Sequence, residues 1–263
     1  MSQNPTPLEG YIRQRLQRKK MLLMTHAVVG YPDVEANMRM LEAMQQADVD
    51  LVELQLPFSE PIADGPVFLR ANQGALDAGI NWEQYFQLMQ RASRAFDFKI
   101  LMMGYYNSVF RMGHETFCNC VSEHGGSGFI VADLPPQEGH DLFTQADAHR
   151  LSPIVLMTPT NSEERLQQLA QYARGFVYCV ARKGVTGKQT DIDPSLDAFI
   201  ARCRNATSLP LALGFGLRSG EDLRQVRDLV DIGIVGTALL EAWEAGTSQY
   251  QMILRELSAA TVA

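Results

Sequence analysis

The sequence predicts a single (β/α)₈ barrel with one extra helix at its N-terminus. Short apolar runs alternate with longer amphipathic runs along the whole chain, and eight such pairs fit within its 263 residues. No linker, internal repeat or break in composition divides the chain, so we expect one domain spanning 1–263. A doubly wound open sheet is the competing arrangement, but no glycine-rich dinucleotide turn follows the first strand.

The strands are predicted from short apolar runs that end at glycine, proline or a polar residue. The first run ends at Gly30 and Pro32, and the fourth is followed by Asp133 and two prolines. In chain order, the predicted strands cover 21–29, 50–56, 99–103, 128–132, 153–157, 175–181, 209–213 and 232–235.

The helices are predicted from apolar positions at three- and four-residue spacing and from residues that cap helix ends. Asp33 can cap the first barrel helix, whose apolar face begins at Val34. Asn161 or Ser162 can cap the fifth, and Glu164 then complements the helix dipole. The extra helix is predicted at 8–18, and the other helices at 82–96, 115–123, 138–148, 194–204, 219–229 and 250–257.

The balance of charge limits the partners that the protein can have. The chain has a net charge of −7, with 20% charged and 46% hydrophobic residues. This charge argues against non-specific binding to nucleic acid or to an acidic membrane surface. An anionic substrate would therefore need local backbone donors instead of a basic surface.

We expect a cytoplasmic protein with reduced thiols. Residues 1–20 are polar and basic and contain no apolar signal core, and no segment has the roughly 20 apolar residues of a membrane helix. Cys118 and Cys120 form one close pair, but no second pair lies at the spacing of zinc ligands. We therefore expect neither a membrane partner nor a bound metal.

Residues 51–66 carry two carboxylates at the end of the second predicted strand. Alternation along a strand places Leu51, Glu53 and Gln55 on one face. A carboxylate inside a buried strand is costly unless it is paired or used, and Asp64 follows in a loop that prolines stiffen. Two carboxylates at the exit of one strand indicate acid–base chemistry. The alternative is structural, with Glu53 neutralising a buried arginine and Asp64 capping a turn.

Glycine-containing turns follow the last three predicted strands, at 184–187, at 214–216 and at Gly236-Thr237. The final loops of a barrel commonly hold a phosphate with backbone N–H groups and a helix N-terminus. Glycine favours such a site because the backbone can approach the ligand closely. The alternative is that these glycines only form tight turns, but three such turns on adjacent loops favour a phosphate site.

The acidic run resembles the signature of the tryptophan synthase alpha subunit family. Glu53 is followed by Pro-Phe-Ser-Glu-Pro at 57–61 and by Ala-Asp-Gly-Pro at 63–66. Further matching segments lie at 103–107, 131–135, 159–161 and 175–187, so that the resemblance covers about residues 20–240. Members of this family split indole-3-glycerol phosphate into indole and glyceraldehyde 3-phosphate. The resemblance implies the same reaction here, with no metal or organic cofactor.

The resemblance also implies a role for each matching residue. Glu53 corresponds to the general acid–base, Asp64 to the aspartate that meets the indole N–H, and Tyr178 to an active-site tyrosine. The implied substrate-binding residues are His26, Gln55, Phe68, Tyr105 and Thr186, and the implied phosphate-binding residues are Gly187, Gly216, Gly236 and Thr237. Thr186 would move towards the substrate when its loop closes.

Three positions depart from the family pattern. Gln55 stands where members have glycine, His26 where they usually have an apolar aromatic residue, and Val67 where threonine is common. In one interpretation these changes are neutral and a neighbour satisfies His26. In the other, two polar groups face the bound indole ring, at a cost of about 1–3 kcal/mol for each group left unpaired. The natural substrate would then be a more oxygenated phosphorylated compound.

Three functions therefore stay open at this point. The first is a lyase acting on indole-3-glycerol phosphate, the second a paralogous lyase or isomerase acting on another phosphorylated metabolite, and the third an inactive regulatory subunit of a pyridoxal-phosphate enzyme. The joint presence of Glu53, Asp64 and Tyr178 argues against the third. The resemblance also implies docking of a pyridoxal-phosphate-dependent tryptophan synthase beta subunit on 57–64 and around Asn107.

Overall fold

Parallel strands form a nearly closed barrel, as the alternating pattern predicted. A computed structural model describes residues 5–180, 194–214 and 216–262. The strands of this part of the chain are β1 (Leu22–Val28), β2 (Leu51–Gln55), β3 (Lys99–Gly104), β4 (Gly126–Val131), β5 (Ser152–Pro153), β6 (Val155–Met157), β7 (Val177–Val180), β8 (Leu211–Gly214) and β9 (Ile232–Val235). They lie in one sheet in the order β5-β4-β3-β2-β1-β9-β8-β7-β6.

Helices surround this barrel. They are α1 (Pro7–Arg15), α2 (Val34–Gln46), α3 (Pro66–Asp77), α4 (Trp82–Ala95), α5 (Tyr106–Met112), α6 (His114–Glu123), α7 (His140–Ala148), α8 (Glu163–Tyr172), α9 (Pro194–Ala206), α10 (Gly220–Val226), α11 (Thr237–Ala245) and α12 (Thr247–Val262), with a short 3₁₀ helix at Pro136–Gly139. Within the described ranges, no helix is both long enough and apolar enough to cross a membrane.

The fifth barrel strand is interrupted, whereas the sequence predicted one continuous strand at 153–157. β5 pairs with β4, and β6 pairs with β7. Only Ile154 separates the two pieces, and its N–H donates to Phe129 O at 2.9 Å. The two ends of the strand order therefore meet at this residue, which joins the sheet into a barrel.

The alternation along the strands separates two apolar clusters. Leu51 of β2 belongs to a cluster built from alternate residues of the strands, including Met24 of β1 and Tyr178 of β7. Val52 and Leu54 of β2 belong instead to the large cluster between the strands and the helices. The first cluster fills the barrel interior, because it joins side chains from strands all around the sheet. Residues that alternate with Val52 and Leu54 thus point inwards, as predicted.

The extra N-terminal helix α1 packs against the interior cluster. Its Leu8 and Ile12 side chains are buried in that cluster. Arg15 at the end of α1 and Lys19 both form ion pairs with Asp50, at 2.6 and 2.9 Å, and Asp50 is fully buried just before β2. α1 therefore closes the end of the barrel where the strands begin, and leaves the opposite end for a site.

Three helices were not predicted, and α3 is the one that matters for the site. The sequence interpretation placed Phe68 and Arg70 in a loop, which is wrong, because both lie in α3. Pro66 occupies the first turn, where its missing N–H is not needed. The buried positions of α3 recur at helical spacing, but Asn72 among them is polar and weakened the apolar pattern. The other two are α5 and α11.

Predicted capping residues are confirmed at two helix starts. Asp33 Oδ1 accepts a hydrogen bond from Ala36 N at 2.6 Å at the start of α2. Of the two candidates for the fifth predicted helix, Ser162 is the cap, and its Oγ accepts from Arg165 N at 3.2 Å.

Candidate active site

The predicted carboxylates lie at the end of the barrel where the strands terminate. Glu53 and Gln55 are the last inward-pointing residues of β2, and Asp64 lies in the following loop. Tyr105 directly follows β3, and Tyr178 lies on β7. In (β/α)₈ barrels the active site occupies this end, because the loops after the strands converge there.

Glu53 forms its ion pair with His26. The two residues lie side by side on β1 and β2, and His26 Nδ1 is 2.7 Å from Glu53 Oε2. Glu53 is only 2% exposed, and its other oxygen, Oε1, is buried and has no hydrogen-bond partner among the described residues. The partner of Glu53 is thus a histidine, not the buried arginine of the structural alternative.

Asp64 is held by several donors. Its Oδ2 accepts from Gln55 Nε2 at 2.7 Å and from Asn72 Nδ2 at 3.3 Å. Burial raises the pKa of Asp64, while hydrogen bonds from Gln55 and Tyr105 and the nearby His26 lower it, and the net shift is upwards. The side chain therefore points to buried amide groups and does not cap a turn.

His26 and Gln55, the two departures from the family pattern, are bonded to each other. His26 Nε2 and Gln55 Oε1 are 2.8 Å apart. The His26 ring also contacts the Phe68 ring in a tilted arrangement, with ring centroids 4.4 Å apart. A neighbour therefore satisfies His26, as one interpretation of the sequence expected, and the interpretation with two unpaired polar groups is not supported.

Asn72 is a site residue that sequence reasoning missed. It is 1% exposed and lies on α3, with its amide nitrogen near Asp64 and bonded to Phe68 O at 2.8 Å. Its Oδ1 accepts from the backbone N–H of Phe58 at 2.9 Å. The signal that could have revealed it is its position four residues after Phe68, which has meaning only once α3 is recognised.

Phe68 and Tyr105 lie beside the carboxylates but are almost fully buried. Phe68 is 2% exposed and packs with Val28 and Leu240 in a small third cluster, apart from the two larger ones. Tyr105 is 1% exposed, and its hydroxyl accepts from Ala63 N at 3.2 Å. Burial and the Asp64 carboxylate raise the pKa of Tyr105, so its hydroxyl keeps its proton.

Tyr178 depends on the absence of a side chain at Gly214. A Cβ added at Gly214 would overlap the Tyr178 hydroxyl and would lie 2.6 Å from its Cζ. Burial, with smaller effects of Glu53 and Asp64, raises the pKa of Tyr178 well above its usual value. The hydroxyl of Tyr178 is therefore a protonated group close to both carboxylates.

Replacement of Gly214 by alanine should displace Tyr178 and destabilise the barrel. Overpacking of this kind costs about 1–3 kcal/mol, which should lower the midpoint of urea unfolding. Gly10→Ala is the matched control, because a Cβ there meets no atom within 4 Å. An alanine within helix α1 should leave the midpoint unchanged or raise it. Equal midpoints for Gly214→Ala and the native protein would contradict the assigned contact.

Two of the predicted phosphate-binding turns are described and lie on neighbouring strands. Gly216 follows β8 with φ +118°, in the left-handed region that favours glycine. Gly236 follows β9, and Thr237 is the first residue of α11. The first N–H groups of a helix have no partner inside it. Thr186 and Gly187, the other predicted residues of this group, lie outside the described residues.

The carboxylate region and the end of β9 adjoin each other. A Cβ added at Gly236 would lie 3.1 Å from Phe68 Cζ and 3.3 Å from His26 Cβ. The start of α11 therefore lies next to the side chains that surround Glu53. Among the described residues, no group of three or more His, Cys, Asp or Glu side chains could hold a metal ion.

Comparison with known proteins finds relatives that match nearly the whole chain. The family model for the tryptophan synthase alpha chain matches residues 12–262. The tryptophan synthase alpha chain of Desulforapulum autotrophicum is 47% identical over 237 residues, which are 90% of this chain and 94% of that protein. The alpha chain of Syntrophotalea carbinolica is 43% identical over 251 residues, or 95% and 99% of the two chains.

Solved structures show the same fold. A chain of Mycobacterium tuberculosis tryptophan synthase superposes with a TM-score of 0.93 at 29% identity, covering 99% of this chain and 100% of that one. The alpha subunit from Legionella pneumophila gives a TM-score of 0.87 at 29% identity, with 98% of each chain covered. With a family model that spans nearly the whole sequence, this chain belongs to the tryptophan synthase alpha chain family.

Proposed function

We propose that the protein is a carbon–carbon lyase that cleaves indole-3-glycerol phosphate into indole and glyceraldehyde 3-phosphate by a retro-aldol reaction. The observation that carries the proposal is the pair of buried carboxylates, Glu53 and Asp64, at the strand-end mouth of the barrel. Membership of the alpha chain family supports the same reaction, and neither a different phosphorylated substrate nor a purely regulatory role is favoured.

Glu53 would transfer the proton that the reaction moves. Cleavage removes a proton from a hydroxyl of the glycerol side chain and adds one to the indole ring carbon. A carboxylate can do both in turn, taking the first proton and supplying the second, so that it ends in its starting state. The unbonded Glu53 Oε1 is the oxygen available for this role, because Oε2 is paired with His26.

Asp64 would stabilise the charge that develops on the substrate. Protonation of the ring carbon places positive charge on the indole nitrogen, and a fixed carboxylate beside it lowers the barrier electrostatically. Gln55 and Asn72 hold the Asp64 oxygen in place. Tyr178, which keeps its proton because burial raises its pKa, can donate a hydrogen bond to the substrate.

The phosphate group would bind to the backbone at Gly216, Gly236 and Thr237. The start of α11 supplies N–H groups and the positive end of the helix dipole. This arrangement suits a chain of net charge −7, which has no excess of basic side chains. Gly187 and Thr186 are proposed for the same region on the family resemblance alone.

We further propose a pyridoxal-phosphate-dependent beta subunit as the partner. Two large apolar side chains are exposed near the proposed docking segments, Ile62 at 73% and Phe110 at 64%. A cavity of about 490 Å³ is lined by Pro57, Phe58 and Asn107, which belong to these segments, among others. Exposed apolar surface of this kind is typical of a protein-binding face.

A turnover assay tests the proposed reaction. The purified protein is incubated with indole-3-glycerol phosphate, with and without a tryptophan synthase beta subunit from a relative, and indole is quantified. We expect indole in both reactions, with faster formation when the beta subunit is present. Absence of indole in both reactions would overturn the proposed activity. Equal rates of indole formation, with two folded subunits that stay separate in solution, would overturn the proposed partner.

A further inference from the structure

One continuous chain of hydrogen bonds joins the two carboxylates of the site. Glu53 Oε2 is 2.7 Å from His26 Nδ1, and His26 Nε2 is 2.8 Å from Gln55 Oε1. Gln55 Nε2 then donates to Asp64 Oδ2 at 2.7 Å. His26 and Gln55, in the middle of this chain, are therefore bonded to the two carboxylates that the proposed reaction uses.

Backbone groups fix the orientation of the Asn72 amide, and through it the direction in which this chain of hydrogen bonds donates. Asn72 Nδ2 donates to the Phe68 carbonyl at 2.8 Å, and the Phe58 N–H donates to Asn72 Oδ1 at 2.9 Å. Because a carbonyl only accepts and an N–H only donates, the Asn72 amide has one orientation. Its oxygen thus faces Gln55 Nε2 at 3.4 Å, and the Gln55 oxygen is left to face His26.

The fixed orientation of Gln55 determines where His26 carries protons. Gln55 Oε1 can only accept, so His26 Nε2 must hold a proton. Nδ1 and Glu53 Oε2, at 2.7 Å, share one further proton. The pair is therefore either an imidazolium beside a carboxylate or a neutral imidazole beside a carboxylic acid.

The surroundings favour the charged form of the pair. Burial lowers the pKa of His26, but the charge and hydrogen bond of Glu53 raise it, with smaller contributions from Asp64 and Gln55. The net result is a pKa above the usual value of 6.5. This shift favours the imidazolium form of His26.

Other neighbours of His26 among the described residues change this balance little. Phe68 from α3 and Gly236 after β9 touch the histidine and do not titrate. Tyr178 from β7 faces the carboxylates and keeps its proton, because burial raises its pKa. The charged groups that act on His26 are therefore Glu53 and Asp64.

We propose that His26 is a positioning residue for Glu53, which it holds through Oε2, so that Oε1 is the oxygen that exchanges a proton with the substrate. Oε1 is buried and bonds to none of the residues that the structure describes, which supports this assignment, since such a group is rare unless it has a function. The proton that Oε1 takes from the hydroxyl is the one that it returns to the ring carbon, so the His26 proton is not consumed. Gln55 acts through His26 by fixing its Nε2 proton. This inference rests on the proposed function.

Nitrogen NMR of the histidine side chains tests the proton positions without any turnover. In the native protein at neutral pH we expect both His26 nitrogens to be protonated, with the exposed His140 as internal reference. Glu53→Gln removes the carboxylate and should move the His26 titration down by about 1–3 pH units. A neutral His26 with an unprotonated nitrogen at neutral pH would overturn the proposal, whatever the activity of the protein.

Kinetics then test the positioning role. Loss of the His26 proton at high pH breaks its bond to Glu53, so kcat/KM should fall on the alkaline side of the profile. His26→Phe should lower kcat by about 10²-fold, the loss expected for a misplaced catalytic group, with little change in KM. His26→Asn keeps an N–H donor and should restore part of kcat without that alkaline limb. His140→Gln, on the surface, is the control.

The outcomes separate this inference from the proposed function. An unchanged kcat and an unchanged alkaline limb in folded His26→Phe would overturn the positioning role while leaving the lyase activity intact. If the native protein forms no indole, the proposed function fails, and the NMR titration still decides whether His26 holds the charged pair.

Discussion

Glu53→Gln should lower the rate of indole formation from indole-3-glycerol phosphate by about 10²–10⁴-fold, the usual contribution of a positioned acid–base group. Glutamine has nearly the same shape as glutamate but cannot take up the hydroxyl proton. It can still form a hydrogen bond with His26 Nδ1, so the barrel should stay folded. Single-turnover measurement of indole reports the loss directly.

The control for this prediction is Glu42→Gln, on the exposed face of α2. Its rate should equal that of the native protein. Circular dichroism of both variants checks that the fold is retained. Substantial activity of a folded Glu53→Gln protein would show that another group carries the proton, and the proposed mechanism would then be wrong.

Asp50→Asn should reduce the free energy of unfolding by about 3 kcal/mol, because removal of the buried carboxylate leaves the nearly buried Lys19 paired only with the exposed Asp48. Asp50 has no exposed surface and pairs with Arg15 and with the nearly buried Lys19. Its Oδ2 also accepts from Leu23 N at 3.0 Å, which ties β1 to the start of β2. Urea unfolding followed by circular dichroism measures the change.

Asp48→Asn is the matched control, because Asp48 pairs with the same two cations. Its side chain is 61% exposed, so the substitution should cost under about 1 kcal/mol. Asparagine also tolerates the positive φ of +54° at this position. Equal effects of the two substitutions would show that burial of Asp50 does not determine how much its ion pairs with Arg15 and Lys19 stabilise the protein.

Most of the fold could be predicted from the sequence because the signal is local and repeated. Alternation on β2 correctly assigned Glu53 to the interior, since Val52 and Leu54 had to face the helices. The break at Ile154 could not be predicted, because it follows from pairing with strands far away in the chain. Helix α3 was missed because a buried polar residue, Asn72, interrupts its apolar face.

The candidate site was predicted unevenly, for a physical reason. Glu53 and Asp64 stand out because a carboxylate at the end of an apolar strand is costly without a use. The bond between His26 and Gln55 depends on two side-chain orientations, which spacing along the chain does not determine. The same limit explains why Gly214 was assigned only to a phosphate-binding turn, although it makes room for Tyr178.

The interrupted strand at Ile154 has a consequence for how the protein opens. β5 and β6 are the two ends of the described sheet and do not pair with each other, whereas β1 meets β2 at five paired positions and β9 at four. Thermal fluctuations should therefore open the barrel first between β5 and β6, on the side opposite the β1–β9 pair. His26 lies on β1 and Gly236 directly follows β9. Glu53 and the turn at Gly236 should therefore stay together when the barrel opens between β5 and β6.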